Sequence, residues 1–216
     1  AAFVTRLLRQ VDERGIVLVA TSNYAPHELL PDPMFHHLFE PGIELITTRL
    51  QVAALDGPLD YRSARPRGTS GFAAGHHLRR PDARSLAAAG LRTPEPEEAE
   101  VLAPGSVALK AARAADGQVW FTFADLCAAR SAASDYLALA GEYRHWVVSG
   151  VPDTTHEAPF AWQRFGNLVD VLYDAGCRLD VRGLSDYAGT FPGTAHGVDL
   201  ARISSRFGML APPVPV

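Results

Sequence analysis

A chain of 216 residues that is 47% hydrophobic and 20% charged holds enough apolar material for a sizeable core, in one compact domain or two small ones. Its 20 basic and 24 acidic residues leave a formal charge of -4. That balance argues against nucleic acid as a partner, because phosphate-backbone contacts draw on a basic surplus or a clustered basic face. With two cysteines, no apolar run near the ~20 residues a membrane span needs, and no signal-peptide pattern at the start, the expectation is a reducing, cytoplasmic protein.

Helical spacing of Phe3, Val4, Leu7, Leu8 and Val11 predicts a helix over 2–14, ended by Gly15. The chain thus opens inside an element, without an initiator Met, and we expect a segment upstream. IVLVAT follows (16–21), an unbroken apolar run that suits an interior parallel strand covered on both faces. Thr21-Ser22-Asn23 would then stand at its C-terminal edge, where ligands bind in open α/β sheets. A polar, Pro-containing loop leads to a helix over 35–49, broken or started near Pro41, and LQVAAL (50–55) reads as a second buried strand.

Residues 63–118 change texture, being rich in Gly, Pro, Arg and Ala, with a solvated acidic run at 95–100. The basic residues from Arg62 to Arg84, His76 and His77 among them, read as a solvated loop. VALKAARAADGQVWFTF predicts a hairpin turning at Asp116-Gly117, with Trp120, Phe121 and Phe123 on a half-buried strand. Helices are expected from Ala124 and over SAASDYLALAGEYR, a strand at 145–151, a helix over 159–176 stopped by Gly176, a strand at CRLDV, and a short final helix at 199–210. VTRLLRQVDERGIVLVATSN and FGNLVDVLYDAGCRLDVRGL share one order: helix, glycine, apolar strand, polar loop. Cys127 and Cys177 sit among apolar neighbours as core residues, and no spacing of Cys, His and carboxylates makes a metal site.

Several stretches together resemble the ZapE-like (AFG-like) ATPases, a branch of the AAA+ P-loop enzymes: LLRQVDERGIVLVATSNYAPHELLPD, FEPGIELI, LDGPLDYR, WFTFADLC, SDYLALA, RFGNLVDVLYDAGCRL and ARISSRFGML. The resemblance implies a partial P-loop NTPase (AAA+) three-layer α/β fold with parallel strands, followed by a C-terminal α/β region. Its divisions would be the C-terminal part of the ATPase core with its sensor strand (1–62), an insert or linker with a short hairpin (63–118), and a region ending in a sensor-type helix (119–216). The function implied is ATP hydrolysis with Mg²⁺ by a homo-oligomer acting on protein partners in cell division or quality control. The alternative is a non-catalytic interaction module or a degenerate ATPase.

Residue by residue, the resemblance places the sensor polar residue at Asn23, beside Thr21 and Ser22, and a phosphate or subunit contact at Arg62. Arg202 and Arg206 fall in the terminal helix as nucleotide-reaching arginines. Two departures stand out. No GxxxxGK[ST] occurs, so this fragment alone is expected to be inactive. Where the family often carries two arginines before Phe-x-Pro, this chain has His36 and Leu38, and imidazole lacks the fixed fork of a guanidinium. The finger role would pass to Arg49 or Arg62.

Overall fold

The computed structural model describes residues 1–30, 34–55, 70–79, 81–105, 107–152, 159–183, 194–195 and 198–210. The chain forms two compact units, Ala1–Pro58 and Leu59–Val216.

In the first unit α1 (Ala2–Glu13) and α2 (Glu40–Arg49) are separated by single 3₁₀ turns at Pro26–Glu28 and His36–Leu38. Gly15, at φ 63°, stops α1. The Gly15 N–H bonds the Asp12 carbonyl, and the Ile16 N–H reaches back to Val11 at 3.0 Å. This six-to-one closure satisfies a helix-end carbonyl, and only a residue at ease in the left-handed region makes it cheaply. Pro41 sits in the first turn of α2, where its missing N–H costs nothing.

The two apolar runs of this unit correct the sequence reading. Residues 16–21 are not an interior parallel strand, and 50–55 are not a strand either. Val17 and Val19 are 89% and 87% exposed and Leu55 95%. The physical reason is partnership: a strand is held by ladder hydrogen bonds to neighbours, and the described residues of this unit include no strand.

The second unit holds the sheet. Its strands are β1 (His77–Leu78), β2 (Glu100–Leu102), β3 (Leu109–Ala111), β4 (Arg113–Ala115), β5 (Gln118–Thr122), β6 (His145–Val151), β7 (Arg178–Gly183), β8 (Thr194–Ala195) and β9 (Val198–Asp199). Its helices are α3 (Ala83–Ala88), α4 (Ala133–Glu142), α5 (Pro159–Asp174) and α6 (Leu200–Phe207), with a turn of π-helix at Ala124–Ala128. The five-stranded sheet runs β1-β7-β6-β5-β4. Among the described residues four strands of this sheet are parallel, and β4 is antiparallel, turned back onto β5 through Asp116-Gly117. This is the mixed α/β, mostly parallel architecture expected for a partial P-loop NTPase fold. The described part of 63–118 is built into it, since β1 and β4 flank the sheet.

Strand alternation divides the core. Val119, Phe121, Trp146, Val148, Leu179 and Val181 face α4, α5 and α6, whereas Trp120, Val147 and Leu78 face Leu86 of α3 and Leu91. Apolar residues on both faces explain why β5 and β6 read as continuous hydrophobic runs. Trp120 and Phe121 therefore belong to a strand buried on both faces along its middle, Val119 to Phe121, rather than on one. On α5 the side chains of Trp162, Phe165, Leu168, Val169 and Leu172 are at most 1% exposed, each stabilising the fold by ~1.5–3 kcal/mol. Phe160, near the start of the same helix, is 71% exposed. Gly176, at φ 63°, stops α5, with the Cys177 N–H bonded to Leu172 at 2.9 Å. Cys127 and Cys177 are buried free thiols, and burial pushes both their pKa values up, leaving them unreactive.

Candidate functional site

Thr21, Ser22 and Asn23 lie in the first unit between the apolar run and the Pro26–Glu28 turn, and all three are exposed. Local chemistry shapes this loop. Ser22 Oγ accepts the Tyr24 N–H at 3.0 Å, and Glu28 Oε2 accepts the Ala25 N–H at 3.1 Å, so two side chains close the turn. The Asn23 side chain is open to solvent, with an amide able to donate and accept.

His36 is tied down: its Nδ1–H donates to the Leu29 and Leu30 carbonyls at 3.1 and 3.3 Å. Arg49 pairs with Asp12 at 3.4 Å across α1 and α2, an exposed contact worth little to stability. Arg62 and the side chain of Arg202 lie outside the described residues. Arg206, on α6 of the second unit, is 7% exposed, ion-paired with Asp170 of α5 and stacked 4.8 Å from the Tyr173 ring. Its guanidinium is engaged within its own unit.

Among the described residues no group of three His, Cys, Asp or Glu side chains can hold a metal.

Sequence reasoning missed a polar network on the α3 face of the sheet. Asp180, in the middle of β7, is 0% exposed. Its Oδ1 accepts from the His76 N–H and from His76 Nδ1, both at 2.8 Å. Its Oδ2 accepts from His145 Nε2 at 2.5 Å and pairs with Arg178 at 2.9 Å. Gln118 Nε2 donates to His145 Nδ1 at 3.1 Å, which fixes the tautomer that leaves Nε2–H for Asp180. Burial alone would raise the Asp180 pKa, but the hydrogen bonds from His145 and His76 and the charge of Arg178 outweigh it and hold it below 3.8.

His76 and His77 correct the reading of their stretch as a solvated loop. They flank the start of β1, and the strand's period of two sends them to opposite faces. His76 goes to Asp180, while His77 is buried, stacked on Phe207 with rings 4° from parallel and donating through Nε2 to the Gly183 carbonyl at 3.2 Å. The available signal was an apolar strand, CRLDV, interrupted by one carboxylate, with histidines elsewhere to receive it.

A family model described as AFG1-like ATPase matches residues 1–211. A Schizosaccharomyces pombe protein described as uncharacterized is 32% identical over 187 residues, covering 83% of this chain and 40% of that protein. Lactation elevated protein 1 homolog B of Danio rerio is 25% identical over 186 residues, covering 83% of this chain and 36% of the relative. The chain thus spans about two fifths of the length of the curated relatives it matches. No solved structure matches.

Proposed function

Because the chain belongs to the AFG1-like ATPase family, which carries an ATPase-related role and nucleotide binding, we propose that it is the C-terminal part of an oligomeric AAA+ ATPase that acts on protein partners. The setting of this proposal is cytoplasmic cell division or protein quality control. The observation that carries it is the family match running almost end to end, over residues 1–211. Among the described residues no helix is long and apolar enough to cross a membrane.

Within this reading the phosphate-binding loop and the metal-holding acid come from outside the present residues. Asn23, with Thr21 and Ser22, contributes a polar contact on the phosphate side, while Arg62, Arg202 and Arg206 are the cationic contributors. For Arg206 to take part it must leave Asp170. The degenerate or non-catalytic alternative has its own support in His36, held by backbone carbonyls where an arginine would be free to reach a neighbour.

Turnover tests the proposal. A coding sequence containing this chain together with a GxxxxGK[ST] loop is expected to yield a protein that releases phosphate from Mg·ATP. The 216-residue chain is expected to show no micromolar Mg·ATP affinity by calorimetry. An inactive longer protein, or phosphate release from Mg·ATP by the chain itself, would overturn the proposal.

A further inference from the structure

Where the C-terminal ends of β6 and β7 part, the second unit opens a crevice of about 330 Å³ lined by Arg79, Pro81, Ser149, Gly150, Arg182 and Gly183. The parting is built into the backbone. The β6–β7 register shifts between Val148 and Val151, with Gly150 at φ 69° and Gly183 at φ 103°. A Cβ on Gly183 would stand 2.5 Å from the Val151 carbonyl oxygen, so the narrow wall of the crevice requires glycine.

The floor is fixed as well. Trp120 Nε1–H donates to Ser149 Oγ at 3.0 Å, and Ser149 Oγ–H donates to the Phe121 carbonyl at 3.3 Å. The Arg182 guanidinium lies 5.3 Å from the centroid of the Trp120 ring, a cation–π position.

The charge here is unbalanced. Other half-buried arginines of this unit have oxygen partners: Arg178 has Asp180, Arg113 has Glu98, and Arg164 has the Cys127 carbonyl. Among the described residues no carboxylate pairs with Arg182 or Arg79. Burial pushes the Arg182 pKa down, the mark of a desolvated cation without a compensating anion.

The geometry points to a phosphate-binding site in this crevice, with Arg79 and Arg182 as the two guanidinium arms that receive a phosphate dianion. Each guanidinium is a planar fork of donors matched to phosphate oxygens. Two such forks balance a dianion where a single carboxylate would leave one uncompensated. The crevice also stands at the carboxyl ends of parallel strands, the usual ligand edge of an open α/β sheet.

The test titrates the chain with inorganic phosphate against chloride at matched ionic strength, by calorimetry and by Trp120 fluorescence. Acetate and adenosine monophosphate form parallel arms. Saturable phosphate binding is expected, weakened at least about tenfold in both Arg182→Gln and Arg79→Gln. Because Arg79 is exposed, its variant keeps the wild-type thermal transition even if loss of Arg182 from the Trp120 face loosens the fold. Tighter binding of the monophosphate than of phosphate, lost in the same variants, would assign the phosphate to a nucleotide; equal binding would assign free phosphate. No saturable response, acetate binding as well as phosphate, or undiminished affinity in both variants would overturn the proposal.

Discussion

Two segments of this chain carry the same local construction and end differently. In one, α1 closes on Gly15 at φ 63° with Ile16 bonded back to Val11; in the other, α5 closes on Gly176 at φ 63° with Cys177 bonded back to Leu172. After the second glycine β7 enters a parallel ladder and Leu179 and Val181 are 0% exposed. After the first, Val17 and Val19 stand almost wholly open. A helix stop is decided by the residues within one turn of it. A strand is decided by what lies beside it, which a hydrophobic run states as a need and does not supply.

The largest effect expected of this contrast is in the packed unit. Phe165→Ala removes a ring that meets Phe123, Trp162 and Phe207 and is expected to cost about 3–5 kcal/mol, read as a lower urea midpoint.

Asp180→Asn is expected to cost a comparable amount, about 3–5 kcal/mol, because Arg178 would be left without its buried counter-ion. It should also change the response to acid. The folded-state pKa of Asp180 lies below its ordinary 3.8, so its contribution is present above that pH and is lost as pH falls through the lower folded value. Wild-type stability should fall across that acid window, and the variant's should fall less steeply. Equal slopes would show that the carboxylate is not what acid attacks.

In the longer protein, Asn23→Ala is expected to lower kcat for ATP by about 10²-fold, near 2.7 kcal/mol, with far less change in nucleotide binding. Turnover within about twofold of the parent would remove Asn23 from the site. The smallest effect is the control for the comparison. Val19→Ser in this chain should change stability by no more than about 0.5 kcal/mol, since its side chain is 87% exposed. A loss like that of Phe165→Ala would mean that the first unit buries this run in solution.

Much of the second unit was legible in the sequence for reasons the structure makes plain. Trp146, Val147 and Val148 of HWVVSGV are buried, on both faces of the sheet, so the middle of β6 (145–151) reads as an apolar run. The apolar stripe of α5 has helical period, and its stop is a glycine. The hairpin at Asp116-Gly117 follows from turn chemistry alone. β1 was not legible, because two residues, one of them His77, carry no periodicity. The Asp180 network escaped for a related reason: His76 and Asp180 are 104 residues apart, and no local pattern brings them together. At the candidate site, the order of Thr21, Ser22 and Asn23 was legible, while their setting was not, since that depends on strands beside 16–21.

The sheet of the second unit also has a consequence for behaviour in concentrated solution. Its outer strands are β1, of two residues, and β4, of three. Open strand edges are templates on which other chains can add strands, and very short edges give an incoming strand too few hydrogen bonds to stay. The longer strands β5, β6 and β7 are kept inside the sheet. Nucleated fibre growth should therefore not begin from this edge. If the chain aggregates on heating or storage, cross-β diffraction seeded at low concentration should trace to the valine-rich run after α1, and peptides copied from β1 or β4 should fail to seed it.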